Sequence, residues 1–82
     1  MLNINQLRWR CRRGTQELDL LLLTYLEQQF SASSTELQQS FNELLFLEDN
    51  CLQDYLFGNT VPERKDFQIL VGMIQAGTRV NF

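Results

Sequence analysis

Trp9-Arg10-Cys11-Arg12-Arg13-Gly14-Thr15-Gln16-Glu17-Leu18-Asp19 is the stretch from which the rest of the chain is read outward. Four of the seven basic residues, Arg8, Arg10, Arg12 and Arg13, fall within six positions here. A glycine then interrupts, and an acidic, apolar helical pattern begins. Upstream, Ile4, Leu7 and Cys11 recur at i, i+3 and i+7, the apolar stripe of a first helix opened by Asn3-Ile4-Asn5. At about 100° per residue, Trp9 and Arg13 project opposite that stripe and are expected to be more exposed than Ile4 and Leu7. On that far face a Trp is either a contact residue or packs on a neighbouring element. Gly14 suits the left-handed C′ position that ends a helix. Downstream, Leu18, Leu21, Leu22, Tyr25, Leu26 and Phe30 recur with helical spacing. Leu20 and Leu23 widen that apolar face, so the second helix is expected to be contacted on two sides and to lie at the centre of the core.

The remaining chain continues in the same period. Ser31-Ala32-Ser33-Ser34 is a polar break, and Ser33 with Glu36 spells a capping box that starts a third helix. Leu37, Phe41, Leu44 and Leu45 are its stripe. Phe46 and Leu47 follow without a gap, which predicts a deeply packed end. Glu48-Asp49-Asn50 breaks the run, and its acids suit the positive end of a short fourth helix. Leu52, Tyr55 and Leu56 are the buried side of that helix, and Gly58-Asn59 stops it. Thr60-Val61-Pro62-Glu63 spells a second capping box with proline in the first turn. Phe67, Leu70, Val71 and Ile74 are the stripe of a fifth helix. Gly72 lies inside it, and Gly77 ends it. Residues 78–82 read as a loose tail. With no strand alternation and no repeat, the expected fold is all-α: a compact bundle of five short helices forming a single domain over 1–82. Its core should hold Leu18, Leu22, Leu26, Phe41, Leu45, Leu52, Leu56, Phe67, Leu70 and Ile74.

Composition narrows the function. The chain is 44% hydrophobic, which suits a folded domain rather than a disordered one. Its 82 residues carry a net charge of −3, unevenly spread. From Glu17 to Asp54 there are eight acids and no Lys or Arg, so a basic end meets an acidic flank. That polarity suits either oriented docking or simple solubility. The acidic balance argues against nucleic acid as a partner. Cys11 and Cys51 lack metal-ligand or redox spacing and read as reduced thiols of a cytoplasmic protein. No apolar targeting segment opens the chain, and the longest apolar run, Leu20–Leu23, is far too short to cross a bilayer. Catalysis is not expected. There is no histidine to act as a base, no phosphate-binding glycine loop and no cysteine in a nucleophile's context. The Asp-Ser-Leu attachment site of an acyl carrier is missing too.

Arg13-Gly14-x-x-Glu17 supports two readings. In one it is only a helix junction, with Gly14 the break and Glu17 at N3 of the next helix, satisfying free amides. In the other, Arg13 and Glu17 flank a tight corner and present opposite charges to a partner.

The same residues carry a resemblance. Cys11-Arg12-Arg13-Gly14-Thr15-Gln16-Glu17-Leu18-Asp19, with Trp9 just upstream, resembles the RGxxE signature of the SdhE/YgfY family of succinate dehydrogenase FAD assembly factors. Leu44-Leu45, Asp49, Leu52, Tyr55, Leu56 and Gly58 resemble the family's second region, where Trp is common in place of Tyr55. The resemblance implies a five-helix fold and a cytoplasmic, monomeric, non-enzymatic protein that does not insert into the membrane. It implies binding to the flavoprotein subunit of succinate dehydrogenase, and in bacteria often of fumarate reductase. There the factor promotes covalent attachment of FAD to a histidine of the partner. No cofactor is bound stably; FAD is handled transiently or through the partner. Trp9, Arg12, Arg13, Gly14, Glu17 and Asp19 are the partner-binding residues so implied, and no metal site is implied. The alternative is a generic interaction module, such as an antitoxin-like or regulatory partner protein.

Overall fold

Each helix begins and ends for a local reason. In the computed structural model, which describes residues 3–77, Asn3 caps α1 (Ile4–Arg10). Its Oδ1 accepts from the amides of Asn5 at 2.9 Å and Gln6 at 3.4 Å. Next comes α2 (Gln16–Gln28), whose N-cap Thr15 makes no side-chain capping bond. Ser34 caps α3 (Thr35–Leu44), its Oγ accepting from the Leu37 amide at 3.2 Å. The box expected of Ser33 and Glu36 does not form, because the Ser33 hydroxyl is engaged on its other side. It donates to the Gln29 carbonyl at 2.8 Å and, its own proton being used, accepts from the Tyr25 hydroxyl at 2.8 Å.

The end of α4 (Asp49–Leu56) is a Schellman motif. Gly58 adopts φ +82°, and the Asn59 amide donates back to the Asp54 carbonyl at 2.8 Å. The expected start of the last helix is corrected: α5 (Lys65–Gly77) begins after Thr60-Val61-Pro62-Glu63, not within it. Pro62 is buried instead, and its carbonyl accepts from Gln68 Nε2 at 2.8 Å. The tail expected over 78–82 lies outside the described residues.

All ten residues expected in the core are buried, joined by Leu7, Cys11, Leu21, Tyr25, Phe30, Leu44 and Val71. Among the described residues there are five helices and no strand, so the all-α bundle stands. The two-sided contact expected of α2 is present, from α1 and α5. It is α5 that packs against α2, α3 and α4, while α1 lies on α2. Phe41 sits between α2 and its outgoing turn, with ring centroids 4.7 Å from Tyr25 and 5.8 Å from Phe30.

Two apolar runs are only partly buried. Leu20 is 43% exposed and Phe46 is 68% exposed. Four consecutive residues sweep about 300° around a helix. A helical run such as Leu20–Leu23 therefore leaves one side chain in water, whereas Phe46 lies in the turn that follows α3. For Phe46 this corrects the expected deep packing at the end of α3.

Candidate functional site: the α1–α2 corner

The corner is built by arginines that leave α1 in different directions. Asn5, Arg8, Trp9 and Arg12 follow helical spacing and line one shallow depression of about 210 Å³ on the outer face of α1. Trp9 is 73% exposed there, and the Arg12 guanidinium lies 5.8 Å from its ring centroid. Arg8 approaches Glu27 only at 4.0 Å between half-exposed groups, a contact worth little.

Arg10 turns the other way. Its Nη1 donates to Asn42 Oδ1 of α3 at 2.8 Å, and its guanidinium stands 4.8 Å over the Phe46 ring.

Arg13 does not follow the exposed face. Its side chain is only 16% exposed, whereas Ile4, at the start of α1, is 40% exposed. The expectation that Arg13 is the more exposed of the two is therefore corrected. The angular projection fails because α1 ends at Arg10, three residues earlier. Arg13 Nη2 donates to the carbonyls of Leu45 at 2.5 Å and Leu47 at 2.9 Å, and Nε lies 3.4 Å from Asp49 Oδ1. That Nε has the distance of an ion pair but makes no aligned hydrogen bond, so the two carbonyls hold the guanidinium and Asp49 mainly balances its charge. Asp19 completes the corner from α2, its Oδ1 accepting from the Arg13 amide at 2.5 Å.

Gly14 lies between these two anchors with φ +89° and nothing within 4 Å of where a Cβ would stand. It is not the C′ residue of α1, since the C-cap is Cys11. It is the turn residue that sends the chain into α2. Glu17 occupies N2 of α2 rather than N3, is exposed, and makes no hydrogen bond or ion pair among the described residues. It does not serve as a hydrogen-bonding cap.

The six residues singled out from sequence thus divide. Trp9, Arg12, Gly14 and Glu17 are presented to solvent, while Arg13 and Asp19 hold the corner that presents them. Phe46, Arg10 and Asn42 were missed. No helical pattern signals the exposure of Phe46, which lies past the end of α3. Nothing in the spacing pairs Arg10 with Asn42, because that contact spans 32 positions.

Burial pushes the Cys11 thiol up to about 12, so it stays protonated at neutral pH and is inert as a nucleophile. Both cysteines are free. No group of three His, Cys, Asp or Glu able to hold a metal ion occurs among the described residues. Nor is any helix among them long and apolar enough to cross a membrane.

Known proteins resemble the chain over almost all of this structure. A family model described as Sdh5, flavinator of succinate dehydrogenase, matches residues 5–78. The FAD assembly factor SdhE of Coxiella burnetii is 39% identical over 70 residues, covering 85% of each chain. The FAD assembly factor SdhE of Colwellia psychrerythraea is 32% identical over 82 residues, covering 98% of this chain and 90% of its own. That of Yersinia pestis is 30% identical over 74 residues, covering 90% and 84%. No solved structure matches the chain. The match spans α1 to α5 and carries the whole Arg13–Asp19 corner with it, and on that ground the chain belongs to the Sdh5 family, the flavinators of succinate dehydrogenase.

Proposed function

We propose that this protein is an FAD assembly factor: it docks the flavoprotein subunit of succinate dehydrogenase, or of fumarate reductase, through the α1–α2 corner and promotes covalent attachment of FAD there. The observation that carries the reading is the corner itself. An exposed Glu17 whose side chain has no partner among the described residues and an exposed Gly14 are held on a frame made by Arg13 and Asp19. A carboxylate with no internal bond contributes little to its own fold and is free to bind elsewhere.

The protein acts without catalysing. It carries no activated nucleophile, and the reading leaves bond formation to the partner's own histidine and flavin, with the factor holding a competent conformation. It works as a cytoplasmic monomer, binds no nucleic acid and does not insert into the membrane. FAD reaches it only transiently or through the partner. Trp9 on α1 and Arg12 just past its end extend the contact, where the indole gives area and the guanidinium gives charge.

The test is reconstitution. Apo-flavoprotein subunit is incubated with FAD, with and without this protein, and then denatured. The fluorescence of flavin remaining on the polypeptide is measured. A clear increase with the protein present is expected; equal covalent flavin in both samples would overturn the assignment.

A further inference from the structure

The exposed Phe46 ring is held in place by more bonds than its solvation explains. Isolated apolar residues on a surface are ordinary, yet this one is fixed on three sides. The carbonyls immediately before and after it, of Leu45 and Leu47, both accept from Arg13 Nη2 at 2.5 and 2.9 Å. The Arg10 guanidinium stands 4.8 Å over its face. Arg10 is in turn oriented by Asn42 Oδ1 at 2.8 Å. The flanking Leu45 is buried and Leu47 packs against the core, so the peptide that carries the ring cannot swing freely.

Bonds from the Arg13–Asp19 corner thus end on the backbone of a different corner, between α3 and α4. What that backbone presents is an aromatic ring 68% in water. The cation at the ring is Arg10, while Glu43 pairs with Arg64 and Glu48 is exposed at the start of α4. Arg10 uses only Nη1 on Asn42 among the described residues, which leaves the rest of its donor fork for a carboxylate. Arg8 on α1 and Arg12 just past its end line the outer face instead, away from the ring. Asp49, the acid that approaches this frame, is already paired with Arg13.

We propose that Phe46, with Arg10 over it, is a second anchor of the docking face, inserting into an apolar socket rimmed by carboxylates on the flavoprotein subunit, and that Arg13 is the positioning residue that presents it. This rests on the reading of the α1–α2 corner as the flavoprotein's docking site. It extends that site to the α3–α4 corner and assigns Arg13 an indirect role. A desolvated aromatic flanked by guanidinium is the composition found at the energetic centre of protein interfaces.

The experiment is a binding titration of purified flavoprotein subunit against the wild-type chain, Glu17→Ala, Phe46→Ala, Phe46→Leu, Arg10→Gln, Arg13→Lys and the double variant Phe46→Ala/Arg13→Lys. Each variant is first checked for a retained melting transition. Phe46→Ala should weaken binding by about 10- to 100-fold, with Phe46→Leu between it and wild type. Arg13→Lys should weaken binding less in the Phe46→Ala background than alone, since part of its effect passes through the ring. Raising salt should weaken the wild type more than Arg10→Gln.

Wild-type affinity in Phe46→Ala, alongside a loss in Glu17→Ala, would overturn the second anchor and leave the first reading standing. Strict additivity of Phe46→Ala and Arg13→Lys would overturn the positioning role. Failure of the wild-type chain to bind the flavoprotein subunit at all would overturn both readings together.

Discussion

Glu17 and Arg13 are two residues of one signature with opposite consequences when removed. The Glu17 side chain makes no bond among the described residues, so Glu17→Ala should cost less than about 1 kcal/mol, the scale of a first-turn acid acting on a helix dipole. Urea denaturation would check this, and a loss above about 2 kcal/mol would reveal a structural role. Arg13→Lys should instead destabilise by about 1–3 kcal/mol. A lysine cannot span the Leu45 and Leu47 carbonyls with one planar fork, and a buried acceptor left unpaired is costly. Trp9 is 73% exposed, so Trp9→Ala should leave the melting temperature nearly unchanged and weaken partner binding. Gly14→Arg meets no steric neighbour, and its cost is that of a left-handed backbone, about 1–2 kcal/mol. Trp9 is exposed as its spacing predicts, whereas Gly14 is not the C′ residue of α1 and Glu17 lies at N2 rather than N3. Arg13 is less exposed than its spacing predicts, because a helical wheel says nothing about a residue beyond the helix end.

The elements depend most on α5, which touches three of the other four helices. Leu70 of α5 and Leu22 of α2 are both fully buried, and truncating either to alanine should cost about 2–5 kcal/mol by denaturant titration. The start of α5 is tied to α3 through Asp66. Its carboxylate receives the Arg64 guanidinium at 2.6 Å and lies 2.7 Å from the buried Ser40 hydroxyl. These bonds, led by Arg64, lower its pKa from 3.8 to about 2. The folded carboxyl is the more acidic, so its contribution is complete above about pH 4 and is lost as pH falls through 2. In that window the wild type should lose stability more steeply than Asp66→Asn, and parallel acid-unfolding curves would contradict the tie. Five helices and ten core positions were legible because burial imposes a 3.6-residue period. The N-termini of α3 and α5 were misplaced because Ser33 and Thr60 match the capping pattern, yet the Ser33 hydroxyl serves Tyr25 and the loop before α5 runs on to Arg64. The centrality of α5 left no mark in its own sequence, since which helix touches most others depends on packing across the whole chain.

At the scale of the molecule, a basic corner is built by contacts 32 and 34 positions apart, from Arg10 and Arg13 to the end of α3. Folding of α3 and α4 is therefore a condition for holding the signature between α1 and α2 in this geometry. Charge, length and periodicity disclosed the bundle and its basic end. The long-range frame under the signature was not legible, because no local pattern encodes it. The central claim is that the Arg13–Asp19 corner is a docking site and not merely a helix junction. The most direct measurement is covalent flavin on the denatured flavoprotein subunit, from cells carrying wild type, Gly14→Arg, Arg13→Lys or Glu17→Ala at equal soluble levels. Loss of that fluorescence is expected in all three variants, with Glu17→Ala retaining wild-type stability; normal covalent flavin in all three would mean that the corner only joins two helices.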